Sequence, residues 1–424
     1  MSREFPRLLC LLLVVACAGF GSTGAAMDFA YTGFGTLEYA VADKDLRYLR
    51  YIDEDGSFKA DSLFGFQAEA RFNQQWGATV QAVASAPRTR DSGYEAKIRW
   101  AFLSYRPNNE WLFRAGRLRP PVLFNTQNAE VGVTYDQARL PMEVYSLSPV
   151  YDVDGGAFTR TWALENAEVN LDGYWGKTKL KFRLPFQRNG MERYRENYFP
   201  EKVTLKGAVV SYSSGSLVLR GGAHQATLKS AASDEPFFDA LSPTPFPAPA
   251  PFGGTLYGPG NVVDAIYVNV LTFGADWRWR DWRITGEYGQ RIIDETKIAV
   301  ESKSGYVTVA RVIGKWTPYV TYARLLSGRD TRQHFQDVNS TPVPLGAQGP
   351  PLFLPADFHR NLADVIPVYD QYSVMLGTSY SFSANSKLKL EWMRTHVGLR
   401  SALVDGDVSD KSFNVFSIGY SFAF

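Results

Sequence analysis

The last nine residues constrain this chain most: Phe416-Ser417-Ile418-Gly419-Tyr420-Ser421-Phe422-Ala423-Phe424. Phe416, Ile418, Tyr420, Phe422 and Phe424 take every second position, with small or polar residues between them. Successive side chains of a β-strand point to opposite faces, so the segment predicts a strand with one hydrophobic face and one small, polar face. In a water-soluble protein, an edge strand this apolar would template aggregation. A strand with hydrocarbon on one side and a watery interior on the other requires this pattern.

The same period of two runs through the chain. About sixteen segments fit it, each near the ~9–11 residues that cross a membrane as a tilted strand. They are Phe29–Ala40, Asp61–Phe72, Trp76–Ser85, Tyr94–Arg106, Trp111–Leu118, Gly155–Trp162, Ala167–Gly176 and Val203–Tyr212, followed by Ser216–Leu228, Val263–Trp279, Trp282–Ile292, Ser304–Ile313, Thr317–Leu325, Gln371–Phe382, Lys387–Thr395 and Ser412–Phe424. Their connections alternate between short and long. Asn73-Gln74-Gln75, Pro107–Glu110, Tyr212–Gly215, Arg280-Asp281, Gly314-Lys315 and Ser383–Ser386 have the chemistry of tight turns. Long polar stretches lie near 41–60, 119–154, 177–202, 229–262, 326–370 and 396–411. Short turns on one side and long loops on the other are the asymmetry of a membrane β-barrel, and a soluble sandwich has no reason for it. The expected fold is therefore all-β: one transmembrane antiparallel barrel of about sixteen strands over 27–424. The terminal pattern resembles the C-terminal signature of Gram-negative outer-membrane barrels. That resemblance implies that Phe424 and the aromatics before it are read by the barrel-assembly machinery.

The other end agrees. Arg3 and Arg7 precede the apolar run Leu8–Ala18, and small residues end at Gly24-Ala25-Ala26. This reads as a secretory signal peptide over 1–26, cleaved after Ala26, too short for a membrane-spanning helix. Val14-Val15-Ala16-Cys17 offers a rival lipoprotein-type cut, with Cys17 lipidated. Cys10 and Cys17 are the only cysteines, so a chain without the leader has no thiol for a disulfide, a metal or catalysis. Net charge is +2, falling to about +1 without Arg3, Glu4 and Arg7, which argues against nucleic acid as a partner. Mean hydropathy is slightly negative, as expected where only alternate residues meet lipid.

Strand faces sort by charge. A Lys or Arg facing lipid at mid-bilayer costs roughly 2–4 kcal/mol, so the charged face is expected to be the lumen. The expected inward cations are Arg71, Lys97, Arg99, Arg114, Lys206, Arg220, Arg283, Arg291, Arg311, Arg324, Lys387 and Lys389. The expected inward anions are Glu69, Glu168, Asp172, Glu287 and Glu391. Val263–Trp279 does not sort, which suggests a bulge or a misplaced end. Trp76, Trp111, Trp277, Trp279, Trp282 and Trp316 sit beside short turns, where a membrane–water interface favours them. Sixteen strands leave room for a water-filled channel, and so predict passage of small hydrophilic solutes.

The long segment after the fifth strand carries the most chemistry. It reads Arg114-Ala115-Gly116-Arg117-Leu118-Arg119-Pro120-Pro121, then Glu130, Asp136, Arg139-Leu140-Pro141-Met142-Glu143-Val144-Tyr145 and Asp152-Val153-Asp154. The Arg-x-Gly-Arg-x-Arg-x-Pro run resembles a proteobacterial group of sixteen-stranded trimeric diffusion porins. The resemblance implies a third loop folded into the barrel to narrow the pore, and a homotrimer in the outer membrane among lipid and lipopolysaccharide. The acidic Pro-Glu-Phe-Gly-Gly motif of the best-known general porins is absent. Carboxylates at Glu130, Asp136, Glu143, Asp152 and Asp154, set against Arg114, Arg117 and Arg119, would make a transverse field across a narrow opening. The surplus of inward cations predicts a weak anion preference.

Other readings stay open. A substrate-specific anion or carboxylate channel would need an arginine ladder down one wall. A non-conducting structural or adhesion barrel would pass no ions. No enzyme is expected, because His224, His334, His359 and His396 sit in no nucleophile or metal motif, and no cofactor is expected. Asp405–Asp410 offers hard oxygens of the kind calcium binds, but reads as a solvated loop. Ser242–Pro251 is expected as an extended polyproline loop.

Overall fold

The computed structural model describes residues 27–148, 152–183, 198–231, 237–238, 242–247, 255–258, 262–293, 301–340, 363 and 366–424. The leader and the Cys17 alternative lie outside them.

Alternating sequence becomes a closed antiparallel barrel of sixteen strands. In chain order they are β1 Asp28–Ala42, β2 Leu63–Arg71, β3 Trp76–Ser85, β4 Glu95–Asn108, β5 Trp111–Leu118, β6 Val153–Ala163, β7 Ala167–Arg183 and β8 Tyr198–Ser214, then β9 Leu217–Ser230, β10 Ile266–Trp279, β11 Trp282–Ile293, β12 Ser302–Arg311, β13 Trp316–Ser327, β14 Tyr369–Ser383, β15 Ser386–Ser401 and β16 Lys411–Ala423. Every sequence neighbour is a sheet neighbour, and β16 closes on β1. The closure extends to the last residue, where Phe424 N–H donates to Gly33 O at 2.8 Å and Gly33 N–H to Phe424 O at 2.9 Å. No edge is left unpaired, which is what allows strands to cross hydrocarbon.

One end of the barrel carries tight turns. Asn73 Oδ1 accepts from the N–H groups of Gln75 and Trp76, and Asn108 Oδ1 from those of Glu110 and Trp111. Arg280 (φ 51°) and Gly314 (φ 61°) supply the left-handed backbone of two further turns. Trp76, Trp277, Trp279, Trp282 and Trp316 are exposed beside these turns, as are Phe382 and Phe424. The outer face above them is apolar, including Leu37, Phe64, Leu271, Phe273, Val307, Val320 and Leu376.

The unsorted tenth segment has a misplaced end, the second of the two causes expected, and no register shift on either side. Val262–Val263 pairs separately with Phe237–Phe238, and the barrel strand starts at Ile266. A bulge lies instead in β4, where Gln81 pairs Trp100 but Ala82 pairs Ile98. Within the Pro-rich loop, Ser242–Pro247 pairs as a strand with Thr255–Gly258, with an irregular register between Pro243 and Pro247. This is short edge pairing, where proline is tolerated.

The largest buried apolar cluster lies where three loops meet inside the barrel. Leu140, Val144 and Leu147 of the third loop join Tyr48 and Ile52 of the first loop and Val404 and Val408 of the last. They pack against inward residues of the wall, including Tyr306, Met375, Met393 and Phe413. The first and last loops are also stitched by pairing of Arg47–Tyr48 with Val404–Asp405.

Candidate functional site

The third loop, between β5 and β6, carries one 3-10 turn, Gly132–Thr134, and one short helix, α1 Met142–Tyr145. Its sequence is rich in Pro and lacks strand alternation, so it does not extend the sheet. Its hydrogen bonds run instead to inward side chains of β1, β9 and β11–β15. A Cβ at Gly132 would lie 2.3 Å from Ser421 Oγ of β16 and 2.5 Å from Thr36 Oγ1 of β1, so a larger residue there would have to displace the wall's side chains. Asp136 accepts from Lys387 Nζ and Ser379 Oγ, each at 2.8 Å. Lys389 Nζ donates to Gln137 O at 2.8 Å, and Tyr319 O–H donates to Glu391 at 2.7 Å beneath it. Glu143 accepts from Gln371 Nε2 at 2.8 Å and from Ser373 Oγ. Tyr145 O–H donates to Glu287 Oε1 at 2.7 Å, while the loop's Phe124 N–H donates to Glu287 Oε2, also at 2.7 Å. Arg220 donates to the carbonyls of Leu123 and Pro121.

Two charged clamps, at Glu130 and Arg139 in the middle of the loop, add to these bonds. At the first, Glu130 is surrounded by three guanidinium groups: Arg119 Nη2 at 2.6 Å, Arg99 Nε at 3.2 Å and Arg88 Nη2 at 3.4 Å. Asp152 stands 3.6 Å from Arg99 Nη1. Burial alone would push the Glu130 carboxyl up, but the three cations outweigh it and hold it at about 2. At the second clamp, Arg139 Nη2 meets Glu38 Oε1 at 3.1 Å and Arg139 Nε meets Asp61 Oδ2 at 2.8 Å. Burial opposes the Arg139 charge, and Asp61 and Glu38 more than offset it, raising its pKa. Burial likewise pushes Asp136 up, and Lys387 and Ser379 bring it below the ordinary carboxylate value.

The geometry sorts the expected constriction residues into groups. Arg119, Glu130, Asp136, Glu143 and Asp152 lie with the loop against the wall. Arg114 faces inward, donating to Thr159 Oγ1 at 3.1 Å and standing 3.8 Å from Asp172. Arg117 and Asp154 are not in the lumen. They sit opposite each other on the outward row of β5 and β6, bonded at 2.8 and 2.9 Å. The strand pattern puts Leu118 and Val153 inside, which forces their neighbours out.

Of the expected pore lining, Arg71, Lys97, Arg99, Arg220, Arg283, Arg291, Lys387 and Lys389 occupy inward positions. Three other cations do not. Arg311 is opposite Trp282 and stacks on its outward ring at 5.2 Å. Arg324 is opposite outward Tyr372, and Lys206 is opposite outward Trp175. Arg311 and Arg324 lie near strand ends, where a lipid-side cation costs roughly 0–1 kcal/mol rather than the mid-bilayer figure. Inward carboxylates missed in the sequence include Glu38, Glu95, Glu201 and Asp276, and Arg278, opposite Arg283, is a missed inward cation. Glu95 holds Lys97 at 2.7 Å, and Asp276 holds Arg283 at 2.6 Å. Strict alternation in β1 was the signal for Glu38, since Leu37 is outside. The β4 bulge turns Trp100 and Phe102 inward, where with Tyr174, Arg114 and the loop residues Pro120 and Pro121 they line a small cavity.

Fold and lumen together define the class: a sixteen-stranded barrel with the architecture of outer-membrane porins. Three solved structures document it. OprB of Pseudomonas putida aligns with a TM-score of 0.54 at 9% identity, over 100% of this chain and 98% of that one. An anion-selective porin from Comamonas acidovorans aligns at 0.52 and 12% identity, over 94% and 100%. OmpF of Salmonella typhi, in complex with daunomycin, aligns at 0.52 and 9%, over 93% and 97%. No protein-family model matches the chain, and no curated relative matches it by sequence.

Proposed function

We propose that this protein is a general porin: a water-filled channel through the outer membrane for passive diffusion of small hydrophilic solutes and ions. The observation that carries the reading is the inward face of a closed sixteen-strand barrel, lined by ionisable groups and crossed by a loop fastened by two charged clamps. The exposed inward groups Glu69, Arg71 and Glu168 are suited to water, not to a packed core.

Anion preference is at most weak in this reading. Removing Lys206, Arg311 and Arg324 from the lumen and adding Glu38, Glu95, Glu201 and Asp276, together with Arg278, brings the wall near balance. A substrate-specific anion channel is disfavoured because the inward arginines do not form a free ladder: Arg283 is held by Asp276, and Arg220 by loop carbonyls. Homotrimer formation and recognition of Phe424 by the barrel-assembly machinery rest on the resemblance. The outward aromatics of β1 and β2, with Tyr31 stacked on Phe66 at 6.0 Å, would suit a protein neighbour as well as lipid.

The test is single-channel current from the purified protein in a planar bilayer under a KCl gradient. Large ohmic steps with a reversal potential near zero are expected. Silence from a verified folded barrel would sink the pore and leave the structural or adhesion reading. Small steps blocked by one particular anion would replace the general pore with a specific one.

A further inference from the structure

Gly116 of β5 stands directly opposite Gly155 of β6, both at inward positions. A Cβ at Gly116 would lie 2.3 Å from Ala101 O, and one at Gly155 would lie 2.0 Å from Trp175 O, so neither position can carry a side chain. The wall is therefore bare between Arg114 and Leu118 along β5 and between Val153 and Ala157 along β6. A cavity of about 90 Å³ lies over this glycine pair. Trp100 and Phe102, turned inward by the β4 bulge, form one side with ring centroids 6.1 Å apart, and Tyr174 of β7 forms another. Pro120 and Pro121 of the third loop close it, so an occupant would touch wall and loop together. Trp100 and Phe102 keep part of their surface open to the lumen.

The lining is mostly carbon, and its unmet polar groups are donors. Trp100 Nε1 and Arg114 Nε are buried and have no hydrogen-bond partner among the described residues. The rest of Arg114 is oriented by the wall: its Nη2 donates to Thr159 Oγ1 at 3.1 Å, and Thr159 donates to Asp172 at 2.5 Å. The Tyr174 hydroxyl is already engaged by His224 Nδ1 at 2.6 Å. Buried donors without acceptors are costly, and an occupant that supplies an acceptor removes that cost. Charge points the same way. Arg114, Arg119 and Arg220 border the cavity against Asp172 and Glu130, and Arg220 reaches it through the carbonyl of Pro121. Size sets the limit. An apolar cavity of about 150 Å³ takes benzene, so this one takes about four heavy atoms.

We propose that this cavity binds a short monocarboxylate of acetate size. The carboxylate would accept from Trp100 Nε1 and Arg114 Nε, and the methyl group would lie against the Phe102 and Tyr174 rings and the two prolines. It is one site in a side chamber of the lumen, not a ladder, and it is read without conductance, so it stands or falls independently of the pore.

The experiment uses the full protein with ¹⁵N-labelled indoles in detergent micelles at neutral pH, followed by NMR. Trp100→Phe identifies the Trp100 Nε1–H resonance by removing it. Sodium acetate, acetamide, sodium benzoate and sodium chloride are titrated separately, with sodium sulfate holding ionic strength constant. Acetate should move that resonance saturably, and the other three should leave it in place at the same concentrations. Two variants probe the lining: A157V, which fills the cavity, and R114M, which removes the cationic donor. K303M, an outward lysine of β12, is the control. Heat-modifiable gel mobility checks that each barrel is folded. Folded A157V and R114M should each bind acetate at least about tenfold more weakly, and K303M should match wild type. A Trp100 resonance in wild type that ignores acetate would overturn the proposal, as would an equal response in folded A157V. Equal shifts with acetamide would show filling without charge recognition, equal shifts with chloride would assign the site to any small anion, and equal shifts with benzoate would remove the size limit; each would overturn it too.

Discussion

Glu130→Gln is the sharpest perturbation of the loop clamp. The Glu130 carboxylate is 7% exposed and meets Arg88, Arg99 and Arg119 within 3.4 Å. Its pKa falls from 4.5 to about 2 because the three cations outweigh burial. At about 1.4 kcal/mol per unit, that depression corresponds to roughly 3 kcal/mol of stabilisation of the fastened loop. An independent route gives a similar size, since removing one partner of a buried ion pair costs about 3–5 kcal/mol. The sign follows from the depressed value. The contribution is full above the unfolded pKa of 4.5 and is lost as pH falls through about 2. Two measurements on wild type and E130Q check this: urea unfolding in detergent followed by tryptophan fluorescence, and single-channel noise, each from neutral pH down to acid. Wild type should lose stability and gain current fluctuations on acidification below the ordinary carboxylate range. E130Q should begin destabilised and noisy at neutral pH and change less with acid. An E130Q protein as stable and as quiet as wild type at neutral pH, with the same acid profile, would refute the clamp.

Arg139→Met leaves Glu38 buried without its cation and should destabilise the middle of the loop by about 3–5 kcal/mol, seen as increased conductance fluctuations. Arg117→Glu should leave the reversal potential unchanged, because its partner Asp154 and its own side chain are outside the lumen; a shift toward cations would put Arg117 back in the pore. Arg71→Glu, on the exposed inward face of β2, should shift the reversal potential measurably toward cation selectivity. Deleting Phe424 removes the two backbone bonds to Gly33 and the ring stacked 6.4 Å from Phe422, and should slow barrel closure in refolding followed by gel mobility.

Sixteen strands were legible because lipid and water impose opposite demands on alternate residues, and a period of two survives errors of a few residues at each end. Faces were less legible where both sides are apolar. In β13, Tyr319, Ala323 and Leu325 point inward under loops while Val320 and Tyr322 meet lipid, so charge alone misassigned Arg324. In β4 the alternation of Ile98, Trp100 and Phe102 looked regular, yet the extra residue at the bulge sends Ile98 out and the other two in. The Arg139 anchor was invisible for a different reason. Arg139 sat in a quoted motif, but its partners Glu38 and Asp61 lie about a hundred and about eighty residues away. Nothing local marks such a pair.

The loop charges bear on selectivity in a way that the count of basic residues does not. A transverse field needs opposed charges separated by the opening. Here Glu130, Asp136 and Arg139 touch their partners directly, so their fields largely cancel within a few ångströms. Those pairs fix the position of the loop, and with it the size of the passage. Discrimination by charge then falls to exposed inward groups away from the clamps, such as Glu69, Arg71 and Glu168. Size and charge selection are thus carried by different residues. Loosening a clamp should change conductance and noise with little change in reversal potential, whereas reversing Arg71 should do the opposite.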